Sequence, residues 1–160
     1  MNIYLKLTLD CSPALAWDAI QSPAVFRAVS SPLLKMTSLE HGGFPARWNA
    51  DGPHLVKISL LGLIPMGRQT IDVSFTEGSN GVRTMVDSGQ ALTGPLRITH
   101  DWNHSMAISA AASGQSLYRD RLVVRAGVAT PFIWLGMWIF WQYRASRLRA
   151  LAPSWGPEKS

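Results

Sequence analysis

One cysteine, Cys11, is all that this 160-residue chain contains. It cannot close an internal disulfide, so a reducing, cytoplasmic setting is expected. Charged residues make up only 16% of the chain, and the net charge is +5. The arginines are spread along strands and one helix. With no lysine-rich tail and no aromatic-plus-basic motif, nucleic acid is not an expected partner. No stretch supplies the roughly 18–20 uninterrupted apolar residues of a membrane span. The nearest approach, Thr130-Pro-Phe-Ile-Trp-Leu-Gly-Met-Trp-Ile-Phe-Trp-Gln-Tyr-Arg144, opens on a proline and ends in arginine. The opening MNIYLKLTLD lacks the basic-then-apolar order of a signal peptide. There is no Gly-x-Ser-x-Gly elbow and no phosphate-cradling glycine loop, and Cys11 has no histidine nearby in sequence. Nothing here points to a nucleophilic enzyme, and no cofactor is expected.

What is present is periodic. Ile3, Leu5, Leu7 and Leu9 alternate with Tyr4, Lys6 and Thr8, the period of a half-buried strand. Ser12-Pro13 and Ser22-Pro23 each read as an N-cap followed by proline at the first helical position, predicting two short helices. From about Leu34 to Arg125 the pattern is strands and turns. Ile71, Val73 and Phe75 alternate up to the turn Glu77–Gly81, and Val82–Ser88 returns as the partner strand. A second hairpin joins Leu96–Ser109 to Ser116–Arg125 across Ala111–Gly114. The segment from about Pro131 to Leu151 reads as a long helix, with Thr130 as its N-cap.

An antiparallel run must bury one face, and only this last helix is long enough to cover it. The expected class is therefore α+β. A curved antiparallel sheet of about seven strands wraps around a long C-terminal helix, with two short helices after the first strand. Residues 1–152 form one domain, and 153–160 read as a frayed tail.

Three stretches also resemble a known family: Leu60-Leu-Gly-Leu-Ile-Pro-Met-Gly67, Tyr118-Arg-Asp-Arg-Leu-Val-Val-Arg-Ala-Gly127, and Thr130-Pro131 through Tyr143-Arg144 to Ala152. They are similar to the START-like, birch-pollen-allergen-like superfamily (SRPBCC), and within it to a small bacterial subgroup. The likeness covers nearly the whole chain. Ala145 and Ser146 interrupt the subgroup's arginine-rich helix end. The resemblance implies the helix-grip fold. It also implies a function drawn from its members' range, which covers binding of lipids, sterols, polyketides or hormones and some cyclase or dehydratase activity.

His100-Asp101-Trp102-Asn103-His104 has the spacing of a zinc motif, but only a helix would bring both histidines to one metal. In a strand they stand about 13 Å apart at roughly 3.3 Å per residue, and no metal is expected. The strand reading instead lines one face with His100, Trp102, His104, Met106 and Ile108. On the returning strand, Tyr118 and Asp120 face inward, opposite a row of Arg119, Arg121 and Arg125. With the hairpin turning at Ala112, His104 is expected opposite Asp120 and Met106 opposite Tyr118. A His104–Asp120 contact reads first as a satisfied buried carboxylate, then as the polar end of a ligand site, and last as an acid–base pair.

On the helix, Trp134, Trp138, Trp141, Ala145 and Leu148 form one stripe, the expected packing face. Trp138 and Trp141 would also wall an apolar pocket with Trp102, Met106 and Tyr118. Phe132, Ile133, Ile139, Phe140, Arg144 and Arg147 fall on the other side. For these the segment Pro32–Pro45, a second copy in a homodimer, or a peripheral membrane surface is the expected cover.

The leading expectation is binding of a small hydrophobic ligand, with Trp102, Met106, Trp138 and Trp141 as apolar contacts and His104, Tyr118 and Asp120 at its polar end. A cyclase- or dehydratase-like enzyme using His104 and Asp120 is the alternative. A non-catalytic protein that dimerises through the helix is the third.

Overall fold

The computed structural model describes residues 1–156. Strand β1 (Asn2–Leu9) buries Ile3, Leu5, Leu7 and Leu9 and turns Tyr4, Lys6 and Thr8 outward, as its period of two predicts. Helices α1 (Pro13–Ile20) and α2 (Pro23–Ser30) follow. The hydroxyl oxygens of Ser12 and Ser22 accept the backbone N–H groups of Leu15 and Val25, each at 3.4 Å. Each serine is followed by proline where a helix has no use for an N–H.

The remaining strands are β2 (Leu34–Ser38), β3 (His54–Leu60), β4 (Ile64–Ile71), β5 (Val73–Glu77), β6 (Arg83–Asp87), β7 (Asp101–Ala110) and β8 (Ser116–Arg125). They form two antiparallel sheets, one of five strands in the order β1-β8-β7-β6-β5 and one of three in the order β2-β3-β4. The sheets meet at a corner. Ile71 ends β4 and Val73 starts β5, so the alternation through Ile71, Val73 and Phe75 spans both sheets. Between them, the backbone N–H of Asp72 donates to Asp87 Oδ1 at 3.0 Å, and that of Gly89 donates to the same oxygen at 2.9 Å.

Beyond β6 the chain returns across β4, with Thr70 N–H on Gln90 O at 2.9 Å and Leu92 N–H on Arg68 O at 2.8 Å. The backbones approach so closely that a Cβ on Gly89 would stand 1.9 Å from Thr70 O. Gly89→Ala is therefore expected to cost about 2 kcal/mol or more through forced displacement of the corner. The readout is a lower urea midpoint at unchanged slope; an unchanged midpoint would show that the corner yields freely.

The second hairpin differs from expectation in two respects. Pro95–Ile98 form a 3-10 turn rather than strand, and His100 lies exposed before β7 begins. The proline and Gly94 (φ 76°) break the extended run. The β7–β8 turn uses Ser113 (φ 59°) and Gly114 (φ 74°), not Ala112. Met106 thus pairs with Asp120, Ile108 with Tyr118 and His104 with Leu122. The expected pairs are displaced by two residues, and a displacement of two leaves every side chain on its own face. Tyr118 and Asp120 point inward, while Arg119, Arg121 and Arg125 are exposed.

Helix α3 (Thr130–Leu151) has 22 residues and a length of roughly 33 Å. It starts one residue earlier than the Thr130 cap implied. Thr130 Oγ1 instead accepts the Ala126 N–H at 2.9 Å and donates to Gly127 O at 2.7 Å, bracing the turn out of β8. Its buried residues are Phe140, Trp141, Arg144, Ala145 and Leu148. Trp138 is corrected: it is 42% exposed, and Met137 and Phe140 face inward instead.

At 3.6 residues per turn, the inner arc runs through 134, 137, 141, 144 and 148, and Trp138 sits at its rim. Phe132, Leu135, Trp138 and Ile139 form an exposed apolar strip that the segment Pro32–Pro45 leaves uncovered, whereas Phe140 is buried beside Leu34 and Met36 of that segment. Among the described residues, no helix is long and apolar enough to cross a membrane. Fraying does not begin at residue 153, because Ala152–Trp155 add a 3-10 turn whose Trp155 packs on the core. Residues 157–160 of the expected tail lie outside the described residues.

Candidate functional site

Asp120, inward on β8 and 3% exposed, is the centre of a polar cluster inside an apolar core. Its Oδ1 accepts from His104 Nε2 and from Trp141 Nε1, each at 2.9 Å, and its Oδ2 accepts from the Tyr118 hydroxyl at 2.5 Å. Since a carboxylate only accepts, His104 must carry a proton on Nε2. The His104 contact runs diagonally across the hairpin, because the residue directly opposite Asp120 is Met106. Diagonal neighbours on one face remain within reach of long side chains.

Arg144 comes in from α3, 3% exposed, with Nη1 3.8 Å from Asp120 Oδ2. Its guanidinium carbon lies 5.4 Å from the Phe26 ring centroid and 5.1 Å from that of Trp141. Stacking of this kind suits the planar, weakly hydrated guanidinium.

Burial pushes the Asp120 carboxyl up. The charge and hydrogen bond of His104, the charge of Arg144 and the Tyr118 hydroxyl outweigh that and hold it at about 2. Burial, followed by the Asp120 charge, pushes the Tyr118 phenol well above 10. Near neutrality, then, Asp120 is a fixed anion and Tyr118 a fixed donor. Asp120 therefore serves as a common acceptor that orients its three donors. Asp87 differs: burial raises its carboxyl, and the Gly89 and Asp72 N–H groups only partly offset this. The Cys11 thiol is also raised, by burial, which works against a thiolate nucleophile.

Two spaces of about 100 Å³ and about 30 Å³ open beside the cluster. Phe26, Ile71, Asp87, His104 and Arg144 line both. The larger space lies between the three-stranded sheet and α3, with Met36, Ile58, Met66, Met137 and Phe140 supplying apolar wall. The lining is thus mostly apolar, with a few polar groups converging at one corner.

No family model and no curated protein matches the chain. Solved structures do. A solution structure from Arthrobacter aurescens aligns with a TM-score of 0.69 at 10% identity, over 98% of this chain and 87% of that one. The crystal structure of Ara h 8.0201 gives 0.62 at 13% identity, covering 96% and 98%. A point mutant of norcoclaurine synthase from Thalictrum flavum, solved with a transition-state analogue, gives 0.63 at 9% identity, covering 96% and 94%. The chain has the helix-grip fold.

In this helix-grip chain the long helix and the inner face of the sheets bring together most of the residues singled out from sequence. His104, Tyr118, Asp120 and Trp141 are in hydrogen-bond contact through Asp120. Trp102 packs edge-on to Trp141 at 6.3 Å, and Met106 lines the smaller space beside Tyr118. Trp138 is not part of the assembly. Sequence reasoning missed Arg144, Asp87, Met137, Phe140 and Phe26. The available signal for Arg144 was its spacing of three from Trp141 and four from Leu148, which places it on the buried side of any helix that buries both.

Proposed function

We propose that this protein binds a small hydrophobic ligand in the space between the three-stranded sheet and α3. The observation that carries the reading is the internal space itself, apolar over most of its wall and closed at one corner by the Asp120 cluster. The ligand's apolar body lies against Met36, Ile58, Met137 and Phe140, and its polar end meets the corner formed by His104 and Arg144. A structure of the same fold, norcoclaurine synthase, holds a transition-state analogue, which supports the fold's capacity for a small organic guest. At about 100 Å³ the space is smaller than the roughly 150 Å³ of an apolar cavity that holds benzene, so the guest is at most one ring or a short chain and its entry moves the wall. Asp120, Tyr118 and Trp141 act here as the rigid support of that corner. The acid–base alternative has the 2.9 Å His104–Asp120 contact in its favour, while the low carboxyl pKa counts against Asp120 as a proton donor.

Trp141 and Trp102 border the space, so a guest is expected to shift tryptophan emission with occupancy and to raise Tm with the logarithm of free ligand above Kd. Met137→Trp, which fills the space from α3, should abolish both responses while the protein stays folded. Responses that survive Met137→Trp would place the guest elsewhere and sink the reading.

A further inference from the structure

Resting on that reading, we infer that the guest is a small apolar carboxylic acid whose carboxylate pairs with Arg144. The guanidinium borders both internal spaces, yet its Nε and Nη1, both buried, have no hydrogen-bond partner in the protein. The nearest carboxylate does not serve. Asp120 Oδ2 is 3.8 Å from Nη1, beyond hydrogen-bond length, and its two oxygens already accept from His104, Trp141 and Tyr118. Asp120 offsets the charge of Arg144 without satisfying its donors.

A buried guanidinium with idle N–H groups is costly, and a structure keeps buried donors paired wherever it can. The Phe26 and Trp141 rings flank the guanidinium, their centroids 5.4 and 5.1 Å from its central carbon. Nε and Nη1 lie on different edges of the guanidinium, each paired with Nη2, so a guest carboxylate would meet Nη2 together with one of the two idle donors in parallel charge-assisted hydrogen bonds. The rest of the wall asks for hydrocarbon. Asp87, the other carboxyl of the lining, has its Oδ1 engaged by two backbone N–H groups and is raised by burial, which lessens its opposition to an anionic guest.

The test compares acids with neutral isosteres on the full chain by calorimetry and Tm: phenylacetate against phenylacetamide, and hexanoate against hexan-1-ol. The acids are expected to bind the wild type roughly tenfold tighter or more than their neutral partners. Arg144→Gln should remove that preference by weakening the acid while leaving the neutral compound within about twofold. Arg144→Lys, which keeps the charge but not the fork, should retain part of it.

Equal binding of acid and neutral compound by the wild type overturns the carboxylate assignment and leaves the apolar pocket standing. Binding of none of the four probes overturns the pocket and this inference together. The wild-type comparison does not depend on any variant folding. Equal weakening of acid and amide by Arg144→Gln also overturns the assignment.

Discussion

Asp120→Ala is expected to lower the stability of this protein by about 3–5 kcal/mol, enough to unfold much of a marginal domain. The reason is what the substitution leaves behind. His104 Nε2–H, Trp141 Nε1–H and the Tyr118 hydroxyl lose their common acceptor, and Arg144 becomes an uncompensated buried cation. A buried donor left alone costs roughly 1–3 kcal/mol, and a charge costs more. Asp120→Ala combined with Arg144→Met should recover part of the loss, because replacing both members of a buried pair with apolar groups is often neutral. Urea denaturation of the two single variants and the double variant gives the coupling directly. Additive losses would mean that Asp120 and Arg144 do not sense each other across 3.8 Å.

The same carboxylate sets an acid limit. Its folded pKa of about 2 lies below the ordinary 3.8, so the folded state prefers the anion. That preference contributes about 2 kcal/mol above pH 4, and it is lost as pH falls from 3.8 through 2. In Asp120→Ala this part of the acid limb should flatten. Asp87 acts with the opposite sign. Because its folded pKa is raised, ionisation works against folding at neutral pH, and protonation relieves that as pH falls toward 3.8.

Local chemistry was legible in the sequence wherever one residue type forces one conformation. Ser12-Pro13 and Ser22-Pro23 start their helices as read, and β1, β7 and β8 present the faces that their alternation implies. The His104–Asp120 contact was found through a register wrong by two, because a shift of two preserves faces and a diagonal still reaches. The turn at Ser113 and Gly114 that sets the true register depends on two positive φ angles, which no residue type at 112–114 requires uniquely.

The apolar periodicity of the sequence implies a helix rotated relative to the observed one. Trp138 looked internal because tryptophan is apolar, and Arg144 looked external because arginine is charged. One rotation of the helix corrects both. What reverses them is tertiary: Phe26 from α2 and the carboxylate of Asp120 from β8 make a place for a guanidinium, and neither lies near Arg144 in sequence. Asp87 was missed for the same reason, since its partners Asp72 and Gly89 come together only at the corner between sheets.

Trp141 is the residue on which packing and polarity meet, and its two components can be separated. It is 2% exposed, packs edge-on to His104 at 5.1 Å, Phe140 at 5.6 Å and Trp102 at 6.3 Å, and donates to Asp120. Trp141→Ala should cost about 4 kcal/mol, within the range for deleting a buried aromatic. Trp141→Phe keeps a ring in the aromatic group but loses the indole N–H and leaves a smaller void. Its expected cost is about 2–3 kcal/mol, mostly the hydrogen bond to a charged acceptor.

The two variants also part on binding. Removing the whole side chain enlarges the space beside Arg144, so Trp141→Ala should admit larger guests, naphthoate in place of phenylacetate, whereas Trp141→Phe should keep the wild-type preference. Denaturation midpoints and calorimetric titrations measure both effects. A Trp141→Phe protein as stable as the wild type would show that the indole N–H adds nothing to Asp120. A Trp141→Ala protein that folds and still excludes naphthoate would show that the enlarged space collapses around Arg144 rather than opening to ligand.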